Sequence, residues 1–173
     1  LLFGIFLKIT RNPDFKSSKK YSWLFIILGI ITLIGKITLL YLKNYMKTFT
    51  LIIGAAYGLI SVILGAFGAH LFKKFLTVEK LQSFETGVRY QMYAAFFLLI
   101  IGFFLKFETG TEKWISILMI AGTFLFSVSI YLLAFSENAN LPTKAIGPIT
   151  PLGGLLMIIS WGMLIYFFAK NRV

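Results

Sequence analysis

"MKTFTLIIGAAYGLISVILGAFGAH", residues 46–70, contains 21 consecutive residues without a charge, Phe49 to Ala69, and closes on the chain's single histidine, His70. About 20 apolar residues are what an α-helix needs to cross the roughly 30 Å hydrocarbon core of a bilayer. The run is longer than the about 7–15 apolar residues of a secretory signal core, so it reads as a transmembrane helix rather than a cleaved leader. Within it Gly54, Gly58, Ser61, Gly65 and Gly68 recur at spacings of 4, 3, 4 and 3, which sets all five on one helical stripe. Lipid tails supply no hydrophobic drive for helix association, and close van der Waals approach over small residues takes its place. The stripe is therefore expected to be a packing surface, for another helix of the same chain or for a homo-oligomer contact.

Working outward, three further runs lack charges: Tyr90–Leu105 with 16 residues, Trp114–Phe135 with 22 and Leu152–Ala169 with 18. Upstream, residues 21–42 are also long enough to span, although Lys36 would have to snorkel to the nearer interface. Residues 1–20 hold Lys8, Arg11, Lys16, Lys19 and Lys20 around the turn signal "RNPD" and read as a basic, membrane-adjacent arm. The expected fold class is all-α, a polytopic transmembrane helical bundle. Residues 46–173 supply four firm spans, and residues 1–45 supply the basic arm and a candidate fifth. Met46, followed by Lys47 and an apolar helix, also resembles a native start, which would make 1–45 an upstream extension.

Composition agrees with that class. The 173 residues are 58% hydrophobic and only 13% charged, with mean hydropathy +0.87, whereas soluble domains average about 25% charged. The formal charge of +11 is carried in short clusters between apolar runs, a pattern suited to membrane lipids with anionic headgroups and not to nucleic acid. Zero cysteines exclude a disulfide or a thiolate nucleophile, and one histidine leaves no histidine-based metal site. No nucleophile with its base, no metal set and no phosphate loop can be assembled, so neither an enzyme nor a cofactor is expected.

The polar residues concentrate after the first span. Thr77 suits an N-cap; from there Leu81, Phe84, Val88, Gln91 and Met92 share one helical face, and Gln82, Glu85, Arg89 and Tyr93 the other. Glu85 and Arg89 are an i, i+4 pair beside a short apolar run, where an unpaired charge costs about 2.5–3.5 kcal/mol on insertion scales. With His70 and Gln91 they are expected to form a polar cluster at the membrane boundary. That cluster either binds a headgroup, an ion or a proton, or simply anchors the helix at its depth. Thr123, Ser127 and Tyr131 form a weaker polar row suited to interhelical hydrogen bonds. In "GPITPLGG", residues 147–154, Gly147 and Thr150 precede prolines and are biased away from helix. Thr150 is expected to N-cap the last helix with Pro151 at its first position. Gly153 and Gly154 follow, giving either a candidate anion or lipid-phosphate site or a capped helix start.

"GAFGAH" (65–70), "FETGVRYQMYAA" (84–95) and "GPITPLGG" (147–154), in this order, closely resemble the small membrane-protein family filed as domain of unknown function 423, related to the transmembrane protein 256-like proteins. The resemblance covers Met46 to Val173 and implies a four-helix, multi-pass protein of the bacterial cytoplasmic (inner) membrane without an established activity. The family often has a histidine directly after "RYQMY", where this chain has Ala94, which argues against a mechanism using paired histidines. The functional expectation is an assembly, accessory or lipid-interacting role. A small oligomeric transporter or channel using His70, Glu85 and Arg89 is the alternative.

Overall fold

Inside a bilayer no water is available to backbone N–H and C=O groups, so apolar runs of this length must satisfy them internally, as a helix does. The structure, a computed structural model, describes residues 22–137 and 141–171, with side-chain exposure from residue 27 onward. Its elements are α1 (Ser22–His70), a 3-10 turn (Phe72–Lys74), α2 (Val78–Phe104), α3 (Gly110–Ala134), the short α4 (Thr143–Ile146) and α5 (Ile149–Asn171). Among the described residues four helices are long and apolar enough to cross a membrane.

One expectation changes at once. The sequence placed a leading span and a first firm span in succession, but α1 is a single element of 49 residues. The connecting residues, Lys43, Asn44 and Tyr45, include neither proline nor glycine, and nothing there ends a helix. The basic arm of residues 1–20 lies outside the described residues. The chain divides into two units, Leu1–Leu42 and Lys43–Val173. In the first, the side chains from Ile27 to Leu42 are exposed on every face of the helix.

In the second unit, consecutive long helices run antiparallel. Gly54 lies against Leu98 and Gly68 against Phe84, which pairs α1 with α2. Phe84 packs on Tyr131 and Tyr90 on Phe126, pairing α2 with α3. Ser160 reaches the Ile115 carbonyl and Ser129 meets Thr150, pairing α3 with α5. Helices α1 and α3 also touch, side by side and parallel, through Thr50 with Ser116 and Tyr57 with Ile120. The core between them holds Leu98, Ile115, Met119 and Phe107, all essentially inaccessible.

The ends of the helices follow local chemistry. The Thr77 side chain accepts from Lys80 N, as an N-cap does. Thr109 and Glu112 form a reciprocal capping box at the start of α3. At α5 the outcome differs from expectation. Gly147 is helical (φ −51°, ψ −47°), α5 begins at Ile149, and Thr150 sits in its first turn. Thr150 is thus not the N-cap; its Oγ1 shares a hydrogen bond with Ser129 Oγ at 2.7 Å. The helical region is disfavoured before proline but not barred. Pro151 falls in a first turn, where no intrahelical donor is required.

Candidate functional site

Helix α2 carries the residues on which a functional reading depends, and its two faces have separate fates. Phe84, Gly87, Gln91, Ala94, Ala95 and Leu98 are buried, whereas Glu85, Arg89 and Tyr93 are exposed. Gln91, only 4% exposed, is satisfied at both ends of its amide. Oε1 accepts from Tyr131 Oη at 2.7 Å, and Nε2 donates to the Tyr57 carbonyl at 3.3 Å. Tyr57 Oη in turn donates to the Ile120 carbonyl at 2.8 Å. One side chain of α2 thereby ties α1 to α3. Parallel bonds run from Ser127 Oγ to the Gly87 carbonyl at 3.0 Å and from Ser160 Oγ to the Ile115 carbonyl at 2.7 Å. A buried polar group left unpaired in hydrocarbon costs several kcal/mol, so a satisfied network of this kind selects one packing of the helices. Ser61 Oγ and Thr123 Oγ1 are buried without a hydrogen-bond partner among the described residues.

The four residues expected to form a boundary cluster are not gathered. His70, Glu85 and Arg89 are exposed, while Gln91 belongs to the interior network. Two residues along a helix turn the side chain by about 200°, which carries Gln91 away from Arg89. Arg89 Nη2 donates to Thr86 Oγ1 at 3.2 Å. The ion pairs among the described residues are Lys43 with Glu108 and Lys80 with Glu137, so Glu85 and Arg89 do not pair. Both border a shallow cavity of about 270 Å³ beside Gly65 and Gly68.

The small-residue stripe of α1 faces α2. Gly54 meets Leu98 and Ala95, Gly58 meets Ala95, Gly65 meets Val88 and Gly68 meets Phe84, and Ser61 is buried within the same row. Gly153 and Gly154 of α5, candidates for an anion site or a plain capped start, lie in a helix contact. Gly153 lies against Gly122 of α3, so that a Cβ on Gly153 would collide with Phe126 N and stand 2.8 Å from the Gly122 carbonyl oxygen. A Cβ on Gly122 would be 2.9 Å from both Gly153 O and Met157 N. Pro151 is exposed, and Gly154 touches only the ring of Phe126.

Glu112 is a buried acid that sequence reasoning passed over. It is 3% exposed, and its carboxylate accepts from the backbone N–H groups of Lys106, Phe107, Glu108 and Thr109 and from Thr109 Oγ1, at 2.8–3.2 Å. Phe107, at φ 56°, adopts the left-handed conformation that curls the loop around it. The signal was present as Thr109-Gly110-Thr111-Glu112, the spacing of a capping box.

Helices α2 and α5 both pack on α3, but their backbones do not come into close approach with each other. A groove lies between them, bridged where Phe97 and Trp161 meet at 4.5 Å between centroids. Three cavities follow one another along it. The first, about 410 Å³, is lined by Lys80, Ser83, Thr86 and Thr150. The second, about 500 Å³, has Tyr90, Tyr93, Phe126 and Gly154 in its wall. The third, about 570 Å³, is bounded by Phe96, Ile100, Phe104 and Phe168.

Comparison with known proteins places this architecture. The family model described as "Protein of unknown function (DUF423)" matches residues 64–154. The chain belongs to this family. The UPF0382 membrane protein YwdK of Bacillus subtilis is 41% identical over 130 residues, 72% of this chain and 98% of the relative. The UPF0382 membrane protein SSP2132 of Staphylococcus saprophyticus is 38% identical over 69% of this chain and 95% of its own length. The UPF0382 membrane protein C1782.12c of Schizosaccharomyces pombe is 33% identical over 65% of this chain and 95% of its own. No solved structure matches the chain.

The family match runs from the last turns of α1 through α2 and α3 to the first residues of α5. Lys80, Gln91, Glu112, Tyr131 and the Gly122–Gly153 contact therefore lie inside it. Tyr57 and Trp161 lie beyond its ends.

Proposed function

We propose that the protein is a non-catalytic, multi-pass component of the bacterial cytoplasmic membrane with an assembly, accessory or lipid-interacting role. The observation that carries this reading is the interior chain Tyr57–Gln91–Tyr131, which uses the buried amide of α2 to close the space between α1, α2 and α3. A conduit for an ion needs ionisable or strongly polar groups left free along it. Gln91 has both ends of its amide occupied, and the buried side chains at Ser61 and Thr123, without a partner among the described residues, are neutral hydroxyls. The buried acid Glu112 is likewise saturated by a loop and a threonine. His70, Glu85 and Arg89, on which the transporter alternative depended, are exposed and do not converge on the interior. Relatives in Bacillus and Staphylococcus support the bacterial membrane as its location.

The test is reconstitution into liposomes with a proton- or potassium-sensitive dye inside. The expected result is leakage no faster than from empty liposomes. Flux above that baseline that is abolished by Glu85→Gln or Arg89→Ala would overturn the reading in favour of transport.

A further inference from the structure

The groove between α2 and α5 changes chemistry along its length. At one end it has a lysine and three hydroxyl side chains, Lys80, Ser83, Thr86 and Thr150. Further along, it is walled by tyrosines and Trp161, and beyond Tyr93 and Trp161, which border the third cavity too, the far end is aliphatic and phenyl. Residue numbers rise together on both helices, from Lys80 and Thr150 to Phe104 and Phe168, so the cavities form one path in the direction of the helix axes. We propose that this groove is the binding site of one anionic phospholipid, with its phosphate at Lys80 and Ser83 and an acyl chain lying against Tyr93 and Trp161. The inference rests on the lipid-interacting reading above and gives it a location.

Dimensions and charge both select this occupant. Ser83 to Tyr93 is ten residues, about 15 Å along a helix, and half of a roughly 30 Å hydrocarbon core is the same depth. A phosphate at the polar end therefore leaves its chain ending near the Phe97–Trp161 bridge, where the second cavity meets the third. An ammonium has three donors. Lys80 Nζ is itself shielded from solvent, and it lies 2.7 Å from Glu137 Oε1, whose side chain is 77% exposed. That carboxylate is an ion-pair neighbour that makes no hydrogen bond to the ammonium, and its exposed side chain is free to turn outward when a phosphate arrives. Lys73 and Lys74, exposed on the turn before α2, add positive charge at the same end of the helix. A helix from a second copy of the chain would fit the apolar length but would bring no phosphate to Lys80 and Ser83 at the polar end.

Glu137 makes the test a matter of sign. If Lys80 binds a phosphate, its carboxylate partner is a competitor, and removing it strengthens binding. If Lys80 only forms a surface ion pair, Lys80→Gln and Glu137→Gln remove the same interaction and act alike. The protein is purified from nanodiscs containing equal phosphatidylglycerol and phosphatidylcholine, and retained lipid is counted by native mass spectrometry. One phosphatidylglycerol per chain is expected in preference to phosphatidylcholine. Retention should fall about fivefold in Lys80→Gln, the factor that about 1 kcal/mol per near-surface lysine implies. It should hold in Lys80→Arg, rise in Glu137→Gln, and fall in Ala94→Trp, which fills the second cavity without touching the charge. Equal retention of the two lipids, parallel losses in Lys80→Gln and Glu137→Gln, or a lipid-free dimer would each overturn the proposal. Those results would be independent of the flux measurement, on which the reading against transport stands or falls.

Discussion

Two of the glycine-lined seams in this bundle, α1 with α2 and α3 with α5, close at different distances. Along α1 four glycines spread the contact with α2 over about four turns, and at Gly58 and Gly65 a Cβ would meet its neighbour at an ordinary 3.7 Å. Between α3 and α5 the contact is concentrated in Gly122 and Gly153, where backbone meets backbone and a Cβ on either would stand within 2.9 Å of main-chain atoms. A methyl group against a side chain can be accommodated by a small rotation. Against a main-chain amide it can be accommodated only by moving a helix. A regular small-residue stripe thus marks where two helices lie side by side, whereas the point of closest approach is set by how their axes cross.

The largest effect expected from this contrast is at the crossing. Gly153→Ala or Gly122→Ala should lower stability by about 3 kcal/mol, the upper range for overpacking, in reversible unfolding followed in mixed micelles. A loss under about 1 kcal/mol for both would mean that the axes separate freely, and the contrast between the two seams would disappear. Next, Gln91→Leu should cost about 1–2 kcal/mol, because it strands Tyr131 Oη and leaves the Tyr57 carbonyl without its cross-helix donor. If that variant matched the parent, the Gln91 amide would add nothing to the hold of α1, α2 and α3 on one another.

Smaller effects sharpen the α1 seam. Gly54→Ala, where Leu98 Cβ would be 3.1 Å away and the Ala95 carbonyl 3.3 Å, should cost about 1 kcal/mol, and Gly58→Ala should fall within about 0.5 kcal/mol of the parent. The reverse order would show that the spacing at this seam has been misjudged. The least effect is expected at the far end of the bundle. There the hydrogen bond from Lys43, together with its charge, holds the Glu108 carboxyl below its ordinary range. The fold favours the ionised form, so the contribution is present above about pH 4, the ordinary carboxylate value, and fades as pH falls through the lowered one. Glu108→Gln should therefore differ slightly from the parent at neutral pH and converge with it in acid. A difference that instead grows on acidification would contradict the pairing. Both side chains are substantially exposed, which keeps the effect small.

Much of the fold was legible because a bilayer imposes long uncharged runs, and the runs beginning at Phe49, Tyr90, Trp114 and Leu152 each lie within a helix for nearly their whole length. Helix α2 is longer than its run of 16 uncharged residues, since Thr77 caps it well upstream and the charged turns from Glu79 to Arg89 are helical too. The face carrying Phe84, Val88 and Gln91 was readable from 3.6-residue periodicity. So was the row containing Ser127 and Tyr131, whose hydroxyls bond to α2.

What sequence spacing could not resolve were choices among partners within equal reach. Arg89 can turn to Glu85 or to Thr86, and it bonds the nearer hydroxyl. Thr150 can cap its own helix or bond across to Ser129, and it takes the second course because α5 starts at Ile149, two residues before the expected start at Pro151. The loop around Glu112 depends on Phe107 in a left-handed conformation that glycine or asparagine would have advertised and phenylalanine does not. Continuity of α1 through Lys43 was hidden by the assumption that a charge between apolar runs marks a loop.

The central claim is that the interior between the helices is closed to water. The chain has no cysteine, so single substitutions report without background. Ser116, Ser127 and Ser160 are at most 1% exposed, and each changes to cysteine with little change of shape. Ser116→Cys, Ser127→Cys and Ser160→Cys in intact membranes should resist a membrane-impermeant, charged methanethiosulfonate added to either side, while Lys74→Cys and Lys106→Cys react from their own side. Rapid modification at any of the three interior positions would reveal a hydrated path through the bundle and contradict the account.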